Sequence, residues 1–472
     1  MLAAGLGTRM RSTRAKVLHE LGGRPLVRYP LAALAPLAPT RVVVVVGHQA
    51  ELVRAAVLAS GLPVETVLQA EQRGTGHAVQ CAVPALGDFD GDVLLVYGDV
   101  PLVTTTTLER LRDTHRAAKA DLTLLTMRLE DPTGYGRILR DADGRVCGIV
   151  EHRDATPAER AITEANPGLY CVRADVLVPL LAELRVDNDQ GELYLTDVVG
   201  LAARAGRTIA SIELERPEEV AGVNTRAELA QMEAILRDDL TRRWMDAGVT
   251  FEDPATAYVG PEVQIGRDSV IGPNVVLRGK TRIGEGCRLD GTAFLVDTVL
   301  GARVHVRFAC TAEEAIVADD AIVGPFARLR PGTELGPRVH IGNFVETKKA
   351  KVGAGTKANH LTYLGDCEIG PDTNVGAGTI TCNYDGSTGK KSKTTIGARV
   401  QIGSDTQLVA PVTVHDDAYV GAGTTVTRDV PAGALVVTRT PPRVFEGWVN
   451  RRRGGVKSAP PPAKATARAR RR

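Results

Sequence analysis

The stretch "IGARVQIGSDTQLVAPVTVHDDAYVGAGTTV" (396–426) decides the architecture of the C-terminal half. Ile396, Ile402, Leu408, Val414, Val420 and Val426 recur at every sixth position, and Gly follows at 397, 403 and 421. A period of six fits neither the 3.6-residue turn of a helix nor the alternation of a long strand. It fits a solenoid whose coil has a few short flat faces, each turning one aliphatic side chain inward. The same step runs through Val259, Ile265, Ile271, Leu277, Ile283, Leu289 and Leu295, with Gly at 260, 266, 272 and 284. Val323, Leu329, Leu335 and Ile341 keep it between the two runs. Aromatic residues are only 4% of the chain, as expected of a core too narrow for large rings. Two places break the period, around 296–318 and at "NYDGSTGKKSK" (383–393). A loop that interrupts a solenoid often carries function.

Upstream, Thr225 and Glu228 have capping-box spacing, and Leu229, Met232, Leu236, Leu240 and Trp244 follow at helical intervals to Gly248. This predicts a linker helix over 223–248. Residues 1–222 alternate strand-like and helix-like stretches. "RVVVVVG" (41–47) and "DVLLVYGD" (92–99) are continuous apolar runs, as in strands covered on both faces. The reading is an α/β domain with a mostly parallel sheet, whose ligands gather at the carboxyl ends of the strands. The solenoid then occupies 249–450.

A chain of 472 residues exceeds one ordinary core. Its longest aliphatic block, Val42–Val46, is strand-sized, and no secretory leader is evident, so a cytoplasmic protein with no membrane partner is expected. Seven scattered cysteines, none in a CxxC pair, read as reduced thiols rather than a zinc site or disulfide frame. The net charge of +2 hides an asymmetry: nine Lys or Arg and no acid lie from Arg451 onward, leaving 49 basic against 56 acidic residues before them. The segment 451–472 reads as a disordered basic tail. No aromatic interleaves its charges, which favours a solvated tail over a nucleic-acid contact.

Three motifs carry candidate chemistry. "LAAGLGTRM" (2–10), with Lys16 beyond it, would let the backbone approach a triphosphate while Arg9 and Lys16 offset charge. A plain tight turn is the alternative. Downstream, Gln69, Gly74 and Thr75 in "QAEQRGTGHA" resemble groups that read a base edge, and a simple loop is the alternative. In "YGDVPL", Asp99 lies at the end of a buried run and suits Mg²⁺ with Asn224 as second ligand; helix caps or turns would also account for both. In "KANHLTYLGD", His360 could take a proton near neutral pH, although a lone His is more often structural. Arg330, Lys348, Tyr363, Asn374, Asn383 and Tyr384 cluster around it in sequence, more polar groups than packing needs.

These motifs, with "DPTGYGRI", "GIVEHRDAT", "GPFARLRPG", "GNFVETKKAKVG" and "VGAGTITCNYDG", follow one another in an order that resembles the bacterial bifunctional N-acetylglucosamine-1-phosphate uridylyltransferase / glucosamine-1-phosphate N-acetyltransferase family over about residues 1–450. The resemblance implies a Rossmann-like nucleotidyltransferase domain, a left-handed parallel β-helix of hexapeptide repeats, and a homotrimer. It implies acetylation of glucosamine 1-phosphate by acetyl-CoA, then coupling of the product to UTP, giving UDP-N-acetylglucosamine for cell-wall peptidoglycan. It further implies that Leu2, Ala3, Ala4, Gly5, Lys16, Gln69, Gly74 and Thr75 hold nucleotide. Tyr97, Gly98, Gly136, Glu151, Asn166 and Asn224 would hold sugar and phosphate, and Asp99 and Asn224 Mg²⁺. In the second site, Arg330, Lys348, Tyr363 and Asn374 would hold glucosamine 1-phosphate, with His360 as base. Ala377, Asn383, Tyr384, Ser404, Ala422 and Arg439 would line acetyl-CoA between subunits. The rivals are a single-activity nucleotidyltransferase and a non-catalytic scaffold, each with a merely oligomerising solenoid.

Three departures from the family pattern stand out. Ala15 replaces a proline before Lys16. Asn166-Pro167-Gly168 replaces Asn-Thr-Gly, removing an N–H and a hydroxyl beside the sugar. The strand that should precede the glycine loop is reduced to Met1 and Leu2, which reads as a start lying upstream and predicts a loosened first site in the chain as written.

Overall fold

A computed structural model describes residues 1–188, 190–438 and 440–452; Arg439 and the tail from 453 lie outside the described residues. The C-terminal half is a parallel β-helix of short strands, most of them two or three residues long. Gln264 pairs with Arg282 and Val276 with Phe294, so one coil takes 18 residues, three six-residue faces. Each sixth aliphatic side chain points into a single continuous core. Ile271, Leu277, Ile341, Leu408, Val414 and Val420 are fully buried there. Burying each such side chain is worth about 1.5–3 kcal/mol.

Both breaks in the period have a structural cause. Arg282 pairs with Val299 and Phe294 with Thr311, a step of 17, so one residue is missing per coil and the turn absorbs the loss. Cys367 pairs with Thr394, a step of 27: nine residues leave the rung and return to it. They form a small hairpin in which Tyr384 bridges Lys391 and Ser392 N donates to Asn383 O at 2.9 Å.

In the N-terminal half, β1 (Leu2–Ala3) lies parallel beside β4 (Val42–Val46), and β4 beside β5 (Val64–Leu68). The valine run of β4 is almost wholly buried, as branched side chains in a covered strand should be. On the other edge of β1, Leu2 N donates to Val96 O at 2.8 Å and Gly98 N to Leu2 O at 2.8 Å. Two residues thus stitch this parallel group to β6 (Asp92–Leu95). A cavity of about 440 Å³, lined by apolar residues including Leu34, Val43, Val79 and Leu95, lies beside Met1 and Leu2.

The rest of this domain corrects the expectation of a mostly parallel sheet. A seven-stranded sheet runs in the order β6, β11 (Tyr170–Arg173), β7 (Leu122–Arg128), β10 (Glu164–Asn166), β8 (Gly136–Arg140), β9 (Val146–Val150), with β12 (Ile209–Leu214) on β7. Only β12 pairs in parallel; the other pairings are antiparallel. The reason is connection length. Parallel neighbours need a long crossover, whereas a short turn joins β8 to β9. The segments β10 and β11 run past β7 in one direction, Glu164 opposite Arg128 and Tyr170 opposite Leu124. A small hairpin, β2 (Glu20–Leu21) with β3 (Arg24–Pro25), packs on the linker helix.

That helix spans Arg226–Asp246, and its capping box closes at both bonds, Thr225 with Glu228. Trp448–Arg452 form a short helix, so Arg451 and Arg452, expected in the tail, are helical; residues 453–472 lie outside the described residues.

Ile341 is fully buried at the middle of the solenoid. Ile341→Ala should lower the stability of the β-helix by about 2–5 kcal/mol, read by denaturant unfolding, and leave unfolding of the N-terminal domain unchanged.

Candidate functional sites

The first site forms where β1 ends. Gly7 has φ +63°, and a Cβ there would lie 2.5 Å from Lys16 Cβ, so the loop folds back on Lys16 only because position 7 has no side chain. Lys16 Nζ donates to Asp99 Oδ2 and, at 3.0 Å, to Asn224 Oδ1. Three residues far apart in sequence therefore meet, the Lys16 and Asp99 side chains both largely buried. Asn224 is held from the linker helix: Glu228 Oε2 accepts from its N–H at 2.6 Å. The carboxylate and the amide oxygen converge on one positive charge, a hard-oxygen donor pair that fits a divalent cation. Among the described residues no group of three or more His, Cys, Asp and Glu could hold a metal, so such an ion would take further ligands from phosphate or water.

Gln69 is buried, its Nε2 donating to Gly74 O at 3.1 Å, and Thr75 Oγ1 accepts from Leu195 N at 3.1 Å. Arg9 is exposed on the turn after the loop. Ala15, in place of the expected proline, uses the N–H that proline lacks, donating to Gln49 Oε1 at 2.8 Å.

Tyr97, Gly136, Glu151 and Asn166 gather beyond Asp99. Asn166 Nδ2 donates to the Tyr170 hydroxyl at 2.8 Å, and its Oδ1 accepts from Gly168 N at 3.0 Å. Pro167 therefore costs no ladder bond: β10 ends at Asn166 and β11 begins at Tyr170. Gly168, φ +87°, lies against Tyr97, where a Cβ would come within 2.7 Å of the ring. A Cβ on Gly136 would come 3.6 Å from Glu151 Oε1. Burial raises the Glu151 carboxyl above its ordinary pKa, against a hydrogen bond from Thr196 Oγ1 at 3.0 Å that lowers it. Burial likewise raises the Tyr97 phenol.

The second site lies on the β-helix. Val323, Ile341, Ala358, Val375, Ile402 and Val420 pair rung on rung. Two residues beyond each, at one corner of the coil, stand Pro325, Asn343, His360, Ala377, Ser404 and Ala422. The candidate base and three of the expected acetyl-CoA residues thus form one column. His360 is exposed, and its Nδ1 lies 3.2 Å from Asn343 Oδ1. With that amide oxygen as acceptor, Nδ1 carries the proton and Nε2 presents its lone pair.

On the next face Tyr363 pairs with Glu346, and Arg330 Nη1 donates to Glu346 Oε1 at 2.7 Å. Lys348 is pushed below the usual lysine pKa, first by Lys391 and then by Arg330. Three cations drawn together suit a phosphate. Sequence reasoning missed Lys391 and Glu346; the lysine-rich interrupting loop was the available signal for the first. Asn383 Nδ2 donates to Asp366 Oδ2, and Tyr384 is exposed on that loop. Asn374 stands apart, between Lys357 and Gln401 on another face. Arg439 lies outside the described residues.

The comparisons agree with these two bodies. Residues 1–193 match the MobA-like NTP transferase domain, and 393–428 match the bacterial transferase hexapeptide repeats. The chain is 50% identical over 448 residues to the bifunctional protein GlmU of Pelobacter propionicus, covering 95% of this chain and 97% of that one. It is 49% identical over 453 residues to that of Trichlorobacter lovleyi, covering 96% and 98%. It is 51% identical over 473 residues to that of an Anaeromyxobacter species, covering 98% and 96%.

A raised carboxyl pKa destabilises the fold once the group must ionise. Glu151 contributes stability below its unfolded pKa and loses it as pH rises through the folded value. Glu151→Gln should therefore melt at least as high as the parent at pH 7. That advantage should shrink as pH falls into the carboxylate range, as thermal unfolding at several pH values would show. With a nucleotidyltransferase domain and a hexapeptide β-helix joined by one capped helix, and half its residues shared with full-length relatives, the chain belongs to the GlmU family of bifunctional proteins.

Proposed function

We infer that this chain acetylates glucosamine 1-phosphate with acetyl-CoA on the β-helix and then joins the product to UTP on the N-terminal domain, releasing pyrophosphate. The observation that carries the reading is the pairing of two built sites on separately cored bodies. Lys16, Asp99 and Asn224 converge in one, and the His360 column stands in the other. Neither a lone nucleotidyltransferase nor a scaffold needs the second.

In acetyl transfer, the amine of glucosamine 1-phosphate attacks the thioester carbonyl. His360 Nε2 takes the amine proton as the C–N bond forms. The C–S bond breaks, and the departing thiolate recovers that proton. Arg330, Lys348 and Lys391 hold the sugar's phosphate, and the column Ala377, Ser404, Ala422 gives the coenzyme a path of small side chains. In uridylyl transfer, a phosphate oxygen of N-acetylglucosamine 1-phosphate attacks the α-phosphorus of UTP as the bond to pyrophosphate breaks. Leu2, Ala3, Ala4 and Gly5 hold the nucleotide, with backbone N–H groups of the loop beyond β1 facing the triphosphate, and Arg9 and Lys16 stabilise charge on it. Gln69, Gly74 and Thr75 hold the base, while Tyr97, Gly98, Gly136, Glu151 and Asn166 hold the sugar. Asp99 and Asn224 would hold Mg²⁺, which when bound neutralises phosphate charge.

The active assembly is a homotrimer. Phe308, Phe326 and Phe344 line one edge of the coil, Phe308 edge-on to Phe326 with centroids 5.8 Å apart and Phe326 stacked on Phe344 at 5.3 Å, and Leu361 continues the line. All four are about half exposed or more, next to the His360 column. An apolar ladder beside a site open on one side fits contact with further copies, which would also unite Asn374 with the other sugar-phosphate residues. The setting is the cytoplasm; among the described residues no helix is long and apolar enough to cross a membrane.

His360→Ala should abolish acetyl transfer, read as thiol release from acetyl-CoA, and leave uridylyl transfer intact. Asp99→Ala should do the reverse, losing UDP-N-acetylglucosamine formation while thiol release continues. Parallel loss of both activities in either variant would contradict two independent sites.

A further inference from the structure

Arg137 is the largest side chain in the N-terminal domain that is almost fully shut from water, at 1% exposure, and the chemistry above does not use it. Among the described residues no carboxylate hydrogen-bonds to it, and Asp131 acts on it only through space. Its Nη1 donates to Pro132 O at 2.8 Å and to Tyr135 O. Its Nη2 donates toward His152 Nδ1 at 3.3 Å and Arg160 O at 3.5 Å, and Nε has no partner among the described residues. A buried charge met mainly by carbonyl dipoles is costly, and an apolar side chain of like volume would fill the space more cheaply.

What the guanidinium does is join two loops. Pro132 and Tyr135 belong to the segment that enters β8, and His152 and Arg160 to the segment that leaves β9. Side chains alternate across a strand. Arg137 and His152 therefore stand on one face, Gly136 and Glu151 on the other, where Gly136 lies against Ile149 and Glu151. The fork fixes, from behind, the separation of the two strand ends that carry Gly136 and Glu151.

We propose that Arg137 is a positioning residue for the sugar pocket, setting the spacing between Gly136 and Glu151 and thereby the affinity for N-acetylglucosamine 1-phosphate. The proposal rests on the assignment of Gly136 and Glu151 to the sugar. It predicts an effect confined to one substrate, because among the described residues the side-chain hydrogen bonds of Lys16, Asp99, Gln69 and Thr75 do not reach the clamped loops.

The test uses the full chain with Arg137→Met, which keeps bulk and removes the fork, and Arg137→Lys, which keeps charge without it. Both substrates of uridylyl transfer are varied separately, with thermal unfolding and acetyl transfer as controls. In Arg137→Met the KM for N-acetylglucosamine 1-phosphate should rise roughly tenfold or more. The KM for UTP should move less than about twofold, as uniform binding elsewhere is untouched. Arg137→Lys should fall between Met and parent, and acetyl transfer should not change. A sugar-phosphate KM within twofold of the parent in a folded variant, or a UTP KM rising in step, overturns the proposal. Unfolding of both variants overturns it too, making Arg137 a stability residue. Glu151→Ala separates the two layers: an unchanged sugar-phosphate KM there removes the pocket assignment itself.

Discussion

Everything in the C-terminal half depends on the return of the backbone to the same corner after 18 residues. Rung-to-rung hydrogen bonds such as Gly260 N to Leu277 O at 2.8 Å hold that return. The inward aliphatic side chain at each sixth position makes it favourable, since any slip of one residue would turn the core-facing set outward. Once the register is fixed, residues far apart in sequence but alike in repeat position stack. The alignment of His360 with Asn343 below and Ala377 above is a result of the repeat, not of a dedicated pocket.

The N-terminal half solves a different problem. Its candidate site lies at the ends of elements of different kinds: the two-residue strand β1, the short turn Lys16–Leu18, the loop after β6 and the cap of a helix. The linker helix serves both bodies. Its first turn holds Asn224 through Glu228, and farther along Glu233 Oε2 accepts from Gly22 N at 2.7 Å while its Oε1 lies 3.7 Å from Arg278 Nη2 of the β-helix. The hairpin that follows Lys16 is thus braced from below by the solenoid.

The periodic half was legible because one residue in six had to be aliphatic, and few other folds make that demand. Legibility failed where length rather than pattern mattered. The 17-residue coils look like disorder of the repeat in sequence, yet in space the rung simply continues. The direction of β10 and β11 was not readable, since apolar runs such as those at 92–99 do not say which neighbour they meet. Lys391 was hidden because a lysine in a polar loop is usually a solvated charge; only the hairpin's fold brings it to Lys348. Arg137 could not be read at all, as nothing in "GYGRI" says that its arginine points inward.

In the proposed acetyl transfer, the column above His360 would also work as a ruler. Each coil adds about 4.8 Å, the spacing of neighbouring strands, so the three steps from His360 to Ala422 span about 14 Å. A carrier whose reactive end reaches His360 touches the upper rungs only if it is at least that long. A short acyl donor would find the base but none of the grip. The nine-residue loop leaves from between the first two of those rungs without changing the spacing, so the fold can redesign the contacts made partway along the carrier while its calibrated length stays the same.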